Sequence, residues 1–542
     1  MLNRATLAAF SGLMDTVRGL SKFREAKYLS YMNPLMAAIF PVVYLYSANI
    51  DQIPLSAAGP VMLEVLLGAV IFTMMLRLVL RSHEVTGVVA VVWLLIFLSH
   101  GHILEVITGN SIGGFMWGRI RYLMAVETIT AITVLVLAVR SRQVCHRITP
   151  IISVVLAAAF FLSWASIGSY YIQDSEETSG VGFDVGSIPL SELSQNQLPD
   201  IYFIVLDSYP NAGTLDQVFG FDNSPFLEFL KNNGFFVAGQ SRANYTLTNL
   251  SLASSLNMNY LPTFFDDLDA DDTDVSILRK AVKDNQVVLL AKRMGYRFAF
   301  LRSNWMITLS NPHADEQLSR LGYPGGDFGR LILEPFFGAE FGNVFARSTI
   351  LKSFVDSVSV ALSIDLFAEK NEKLKQISEM DDPTFTFAHF GPPHPPLIFD
   401  RDGNSRNLRF SMRKTDDQDA YLDQLVWVNK TIQETVAEMM RNDGGDSVIV
   451  IQGDHGTSFT DTHAVLHRGG VPDGALLAER GGVLNAIHLP ESCKPSGLYE
   501  SITLVNTFRL IFDRCLGTNF GLLEDVFYWS SLDRLYDFTP YP

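Results

Sequence analysis

A membrane-anchored α/β protein is the fold class this sequence predicts, with about five N-terminal transmembrane helices followed by a domain built on a largely parallel central sheet. Three observations carry that expectation. Apolar stretches of near-spanning length crowd the first 170 residues, short apolar runs alternate with helical patterns after residue 200, and charge divides sharply between the two halves.

The apolar stretches cover about 32–50, 59–80, 85–104, 120–139 and 149–169. Each is near the roughly 20 residues that cross a hydrocarbon core. The first 30 residues carry scattered charge and no compact apolar run, so they read as a cytoplasmic amphipathic segment rather than a cleaved signal. Arg4, Arg18, Lys22, Arg24 and Lys27 precede the first span; Arg77 and Arg81 flank the second connection, and Arg140, Arg142 and Arg147 fill the fourth. All fall on one side if the N-terminus is cytoplasmic, and an odd number of spans then delivers the C-terminal domain to the outside. Arg119 and Arg121 depart from this pattern at the outer end of the fourth span, with Glu64, His100, His102, Glu105 and Glu127 at similar depth. Two readings stand: interfacial snorkelling with helix-to-helix pairing, or a polar pocket for a lipid head group.

Residues 1–173 hold 12 Lys/Arg against 7 Asp/Glu, which leaves 29 against 50 in residues 174–542 out of totals of 41 and 57. So acidic a domain is unsuited to nucleic acid, whose phosphates demand a basic face, and suits one that binds a divalent cation. Three cysteines are too few for a disulfide scaffold. Cys493 and Cys515 both lie in the second half, where an oxidising compartment could pair them.

Residues 174–198 are polar, rich in Gly and Ser and without apolar period, and they read as a linker. Beyond them come buried-strand patterns at 201–207, 296–301, 384–390, 447–454 and 483–489, with the clearest helical pattern at about 416–441. Buried runs alternating with helices predict a parallel sheet covered on both faces. Ligands of such sheets bind beyond the carboxyl ends of the strands. The expected organisation is therefore a transmembrane domain at 1–173, a linker at 174–198 and a catalytic domain at 199–542.

The chemistry-bearing residues fall at those strand ends. Asp207 closes the first apolar run, and Asp454-His455-Gly456 closes another. A lone strand-terminal Asp is usually a turn or helix cap. An acid at one strand end and an Asp-His pair at a second can instead converge on one divalent metal.

The segments PDIYFIVLDSY, NYTLTNLSLASSLNM, HFGPPHPPLIFD and IQGDHGTSF, taken in order, resemble the sulfatase and alkaline phosphatase superfamily over about residues 199–515. The resemblance is to its membrane-anchored branch, which includes lipoteichoic acid synthases and phosphoethanolamine transferases. It implies an alkaline-phosphatase-like α/β domain and one divalent metal ion, Mn or Zn, held by Asp207, Thr248, Asp454 and His455. Sulfatases show Cys or Ser, any residue, Pro, Ser, Arg, Ala, Ser. Laid over this chain, Thr248 takes the nucleophile position; Ser251, Ala253 and Ser254 match, while Leu250 and Leu252 depart. A hydroxyl at a helix N-terminus meets free backbone N–H groups and the positive dipole end, which favour an anionic ester. Thr246 is the next candidate. Formylglycine sulfatases need Cys or Ser here, and threonine cannot yield the aldehyde, so sulfate-ester hydrolysis by that route is not expected. His467, 12 residues after His455, and His394 in GPPHPP resemble substrate-side histidines able to protonate a leaving alcohol or neutralise phosphoryl charge. His389 and His463 are weaker candidates.

The resemblance implies a phosphotransferase that moves a phospholipid head group, glycerophosphate or phosphoethanolamine, through a phospho-threonine to a glycan or glycolipid. It implies a bacterial cytoplasmic (inner) membrane, with the catalytic domain periplasmic or extracellular. Two rivals stay open: a metal-dependent phosphoric or sulfuric ester hydrolase, and a catalytically inactive glycan-binding membrane protein.

Overall fold

The computed structural model describes residues 26–107, 111–112, 115–116, 120–177, 198–263, 265, 269–270, 272–318, 326–337, 340–406, 417–460, 462–468, 470–493 and 497–541. The chain forms two compact units: Met1–Thr178 with Tyr323–Val358, and Ser179–Gly322 with Ser359–Pro542. The excursion Tyr323–Val358, expected within the catalytic domain at 199–542, clusters instead with the first unit.

The first unit is helical: α1 Ala26–Ser47, α2 Leu55–Leu80, α3 His83–Ile107, α4 Ile120–Arg140 and α5 Arg142–Glu177. All five contain spans long and apolar enough to cross a membrane, which agrees with the five stretches read from the sequence. Small residues and polar clamps bring these helices together, as they do where lipid leaves no hydrophobic drive between helices. A side chain at Gly87 of α3 would meet the Ser30 carbonyl of α1 at 2.6 Å. Asn33 of α1 donates to the Thr149 carbonyl of α5 at 3.0 Å and accepts from the Ser153 hydroxyl at 2.7 Å. The excursion supplies the short helices Gly326–Phe337 and Glu340–Arg347. Phe341 and Phe345 are buried among Tyr46, Val61 and Leu98, and the Gly101 amide donates to the Ser348 carbonyl at 2.7 Å.

The second unit carries a seven-stranded sheet built from β1 Ile201–Leu206, β2 Phe236–Val237, β3 Arg297–Leu301, β4 Glu316–Gln317, β5 Thr384–Phe390, β6 Val448–Gly453 and β7 Asn485–His488. Their order is β2-β7-β6-β1-β5-β3-β4. Pairing is parallel from β6 through β1, β5 and β3 to β4, and antiparallel where β7 joins β6 and β2. The central β1 and β5 are buried along their whole length, as their uninterrupted apolar runs require. Phe203 of β1 packs on Phe387 of β5 and edge-on against Phe508 of the helix Leu504–Cys515, whose last residue is disulfide-bonded to Cys493.

Register positions the site. Leu206 pairs with Gly453 on one side and Phe390 on the other. The next residues along β1 and β6, Asp207 and Asp454, therefore emerge side by side beyond the carboxyl ends, where open α/β sheets hold their ligands.

Candidate active site

Asp207, His389 and Asp454 are fully buried and offer one ligand atom each within 4.8 Å of one another. His389 sits on β5, opposite Val205 of β1, with Nε2 3.8 Å from Asp207 Oδ2. His455 adds its Nε2 at 3.7 Å from Asp207 Oδ1 and 3.5 Å from Asp454 Oδ2. The structure brings Asp207, Asp454 and His455 together with Thr248, whose Oγ1 lies 3.1 Å from His455 Nε2.

Local backbone chemistry explains the convergence. Ser208, just after Asp207, takes a left-handed conformation with φ of 60°, costly for a residue with a side chain and stabilised by what it reaches. Its amide donates to Asp454 Oδ1 at 3.0 Å, its hydroxyl donates to the Gly456 carbonyl at 3.1 Å, and its own carbonyl accepts from Tyr421 at 2.9 Å. The glycine of the Asp-His-Gly turn is obligatory, because a Cβ at Gly456 would lie 2.0 Å from the Glu479 carbonyl.

Thr248 opens the helix Thr248–Asn257, half-buried at its first turn. The approach to that helix is fixed at several points. The Asn244 side chain donates to the Val526 carbonyl and accepts from the Val505 amide, and Ser251 donates to the Asp454 carbonyl at 2.6 Å. Arg480, buried, donates to the Thr246 carbonyl at 2.6 Å and to the Gly456 carbonyl at 2.8 Å, joining the loop before Thr248 to the Asp-His-Gly turn. The Thr246 hydroxyl is fully buried and donates to the Ser530 carbonyl, so it is committed to structure, unlike that of Thr248.

Tautomers follow from these bonds. His455 Nδ1 lies 2.9 Å from the Gly456 carbonyl, which only accepts, so Nδ1 carries the proton and Nε2 presents a lone pair to Thr248 and the carboxylates. His389 Nδ1 is held at 2.8 Å by the Thr308 hydroxyl, which turns Nε2 toward Asp207. Desolvation by burial holds His389 down to about 4 and His455 down to about 3, so both imidazoles are neutral near pH 7. Asp207 is pushed well up by burial and then by the neighbouring Asp454. Burial also opposes ionisation of Asp454, but His455, His389 and the Ser208 amide outweigh it and hold Asp454 below the usual carboxylate range.

A divalent metal fits this set. Among the described residues, both carboxylate oxygens of Asp207, Oδ2 of Asp454 and Nε2 of His389 are buried without a hydrogen-bond partner. Four orphaned polar atoms in one place would cost several kcal/mol if nothing met them. Mixed imidazole and carboxylate donors suit a cation of the zinc or manganese class.

His394 lies close by rather than in the cluster. Its ring is 6.5 Å from that of His455 and edge-on to Trp305 at 5.4 Å, with Nδ1 donating to the Pro395 carbonyl. Its amide donates to the Asp207 carbonyl, which ties its loop to the metal-side strand end. His467 is brought to His463 instead: the two exposed rings lie 4.2 Å apart, tilted by 33°, on the helix Thr462–Arg468. Arg121 is exposed and stacks on Tyr122, and Arg119 lies outside the described residues. Arg480 is not among the residues the sequence singles out, and His389 is there only as a weaker candidate. His389 had a usable signal, since it stands near the end of a second buried apolar run beside the one ending in Asp207.

A parallel α/β sheet with a buried carboxylate–imidazole cluster and a helix-start hydroxyl at its carboxyl edge defines a metal-dependent ester-transfer or ester-hydrolysis enzyme. The Sulfatase family profile matches residues 202–480, just over half of the chain, and the chain belongs to that family. No curated protein matches it in sequence. Among solved structures it is similar to the integral membrane lipooligosaccharide phosphoethanolamine transferase A of Neisseria meningitidis, at 10% identity and a TM-score of 0.40 over 90% of this chain and 94% of that one. It is also similar to the C-terminal periplasmic domain of EcEptC from Escherichia coli in complex with Zn, at 12% identity and a TM-score of 0.36 over 61% and 86%. A third is the C-terminal periplasmic domain of the phosphoethanolamine transferase EptC from Campylobacter jejuni, at 10% identity and a TM-score of 0.33 over 54% and 79%.

Proposed function

We propose that the chain is a metal-dependent phosphotransferase that moves the head group of a membrane phospholipid, glycerophosphate or phosphoethanolamine, to a glycan or glycolipid. The observation that carries this reading is the half-buried Thr248 hydroxyl, 3.1 Å from His455 Nε2 at the start of its helix. A divalent cation, zinc or manganese, held by Asp207, Asp454, His455 and His389, would lower the pKa of that hydroxyl and neutralise phosphoryl charge. Thr248 Oγ attacks the phosphorus of the donor diester, the bond from phosphorus to the diacylglycerol oxygen breaks, and the threonine proton passes by way of His394 to that departing oxygen. Diacylglycerol leaves, and the head group remains as a phosphodiester on Thr248. A sugar hydroxyl then attacks the same phosphorus and frees the threonine. The free amides of the first helical turn support the anionic ester. His394, whose Nε2 is uncommitted by the Nδ1 bond to Pro395, serves as the substrate-side proton carrier, with His467 as a second phosphate contact.

Threonine supports transfer over formylglycine-dependent sulfate hydrolysis, because it cannot be converted to the aldehyde. The five membrane-capable helices support a lipid donor and an inner-membrane location with the second unit outside. Intact-mass measurement of the full-length protein after incubation with metal and mixed phospholipids tests the reading. A head-group adduct on wild type and none on Thr248→Ala establishes the nucleophile and identifies the donor. Cleavage of a phosphate ester with no adduct and no transferred group would replace transfer by hydrolysis.

A further inference from the structure

The membrane unit holds a cavity of about 630 Å³ lined by α1, α2, α3, α4 and the excursion helices. That volume lies within the roughly 300–1,000 Å³ of ligand pockets. Its wall is almost wholly apolar and aromatic, with Phe72, Phe97, Phe336 and Phe354 among the lining side chains. Its few polar side chains are nearly all committed. The Trp93 indole N–H donates to the Ala131 carbonyl at 3.1 Å, Thr128 donates to the Met124 carbonyl at 2.7 Å, and Thr349 donates to the Ala346 carbonyl at 2.7 Å.

Glu127 differs. It lines the cavity, is 7% exposed, and uses only one oxygen, Oε2, which lies 2.7 Å from Nδ1 of the fully buried His100. Glu127 Oε1 is buried with no hydrogen-bond partner. An acceptor left unmet in an apolar, lipid-embedded wall is costly, so it points to a ligand that brings a donor. Among the described residues, lysine and arginine are absent from the lining, so a phosphate carried in beside the donor would meet the Glu127 carboxyl and no cation. That disfavours a phospholipid head, including ethanolamine, whose ammonium comes with its phosphate. Glu127 lies seven residues into α4 and His100 seven residues before the end of α3, so the pair sits about 10 Å below the connected helix ends. This depth suits a lipid whose polar end is only a hydroxyl.

We propose that this cavity binds an uncharged lipid alcohol of the diacylglycerol class, its chain against the phenylalanines and its hydroxyl donating to Glu127 Oε1. If the function proposed above holds, this is the chemical class of the lipid released from phosphorus when Thr248 takes the head group; the binding itself does not depend on that reaction.

The test uses the full-length protein in nanodiscs with photoactivatable diacylglycerol, and photoactivatable phosphatidylethanolamine and phosphatidylglycerol as competing probes. A Cβ at Gly68, which lines the cavity, meets nothing within 4 Å, so Gly68→Phe fills the space without moving backbone. Glu127→Gln leaves a single amide oxygen, which His100 Nδ1 occupies. Wild type should crosslink diacylglycerol in preference to both phospholipids, on peptides from α4 and residues 332–355. Gly68→Phe should abolish that labelling, and Glu127→Gln should weaken it about tenfold, as loss of one buried hydrogen bond does, while binding of a diacylglycerol methyl ether stays unchanged. Equal labelling by all three lipids, or labelling untouched by Gly68→Phe, would make the cavity an ordinary contact with bulk lipid and overturn the proposal. Loss of the Thr248 adduct with intact diacylglycerol labelling would refute the reaction and leave this site standing.

Discussion

The hydroxyl of Thr248 lies 3.1 Å from His455 Nε2, although 207 residues separate the two in sequence. Four bonds hold that distance. Arg480 ties the Thr246 carbonyl to the Gly456 carbonyl, Ser251 donates to the Asp454 carbonyl, and the Nδ1–H of His455 is spent on Gly456. The Thr248 loop and the Asp-His-Gly turn are thus one rigid piece, and rigid positioning of this kind is what ester-transfer chemistry needs from a protein.

Replacing that hydroxyl should therefore cost chemistry and little else. Thr248→Ala should lower turnover by roughly a thousandfold or more, as loss of a nucleophile does. Thr248→Ser keeps the oxygen and the helix start and should stay within about tenfold of wild type. Melting temperatures of both variants should match wild type. Full activity of the alanine variant would remove Thr248 from the mechanism.

His389 should bind metal and His467 should not. Both are histidines of the second unit, but His389 Nε2 is buried and unpartnered beside Asp207, while the His467 ring is exposed against His463. His389→Gln should reduce metal affinity by at least the roughly 10–100-fold that loss of even an outer-shell partner costs. His467→Gln should leave metal content unchanged by elemental analysis and affect only substrate turnover. Equal loss of metal in both variants would contradict this assignment.

Much of this was legible in the sequence because strands and spans are local patterns. The runs at 201–207, 384–390 and 447–454 announce β1, β5 and β6, and acids at two of their ends announce a site. Thr248 and the Asp454-His455 pair were readable for the same reason, each lying where an element begins or ends. His389 was readable only as a weaker candidate, since inside an apolar run it resembles a core residue until register sets it opposite Val205. Arg480 was hidden because its two acceptors are carbonyls, and no sequence pattern marks a backbone acceptor. The excursion Tyr323–Val358 was hidden too, because its amphipathic helices look like those of any α/β domain.

Metal binding should release a proton and cancel a pH dependence. Burial and Asp454 push Asp207 well above its usual value, so in the metal-free protein Asp207 holds a proton that a cation must displace. Affinity should fall as pH drops through that raised pKa, and calorimetry in buffers of different ionisation enthalpy should show net proton release. The folded metal-free protein binds more protons than the unfolded chain between the usual carboxylate pKa and the raised one. Its stability should therefore decline as pH rises across that window. Chelator-treated wild type should lose melting temperature from pH 4 upward, and Asp207→Asn should flatten that loss. A metal-free melting temperature that climbs with pH over the same range would count against a protonated Asp207.

The Cys493–Cys515 disulfide should stabilise the second unit without shaping its chemistry. It spans 22 residues and ties the chain after β7 to the end of the helix Leu504–Cys515. Closing a loop of that length contributes about 3 kcal/mol by restricting the unfolded chain. The helix it secures places Phe508 against Phe203 and Phe385, beneath the strand that ends at Asp207. Those packing contacts persist when the bridge is gone, so the folded geometry of the site should survive. Cys493→Ser with Cys515→Ser should shift the denaturant midpoint for metal release downward by an amount matching about 3 kcal/mol. Metal affinity and turnover well below the transition should be unchanged. If the double variant instead loses metal at low denaturant while its helices stay folded, the bridge is holding the site itself, and the loop from β7 to the helix must be counted among the elements that position Asp207.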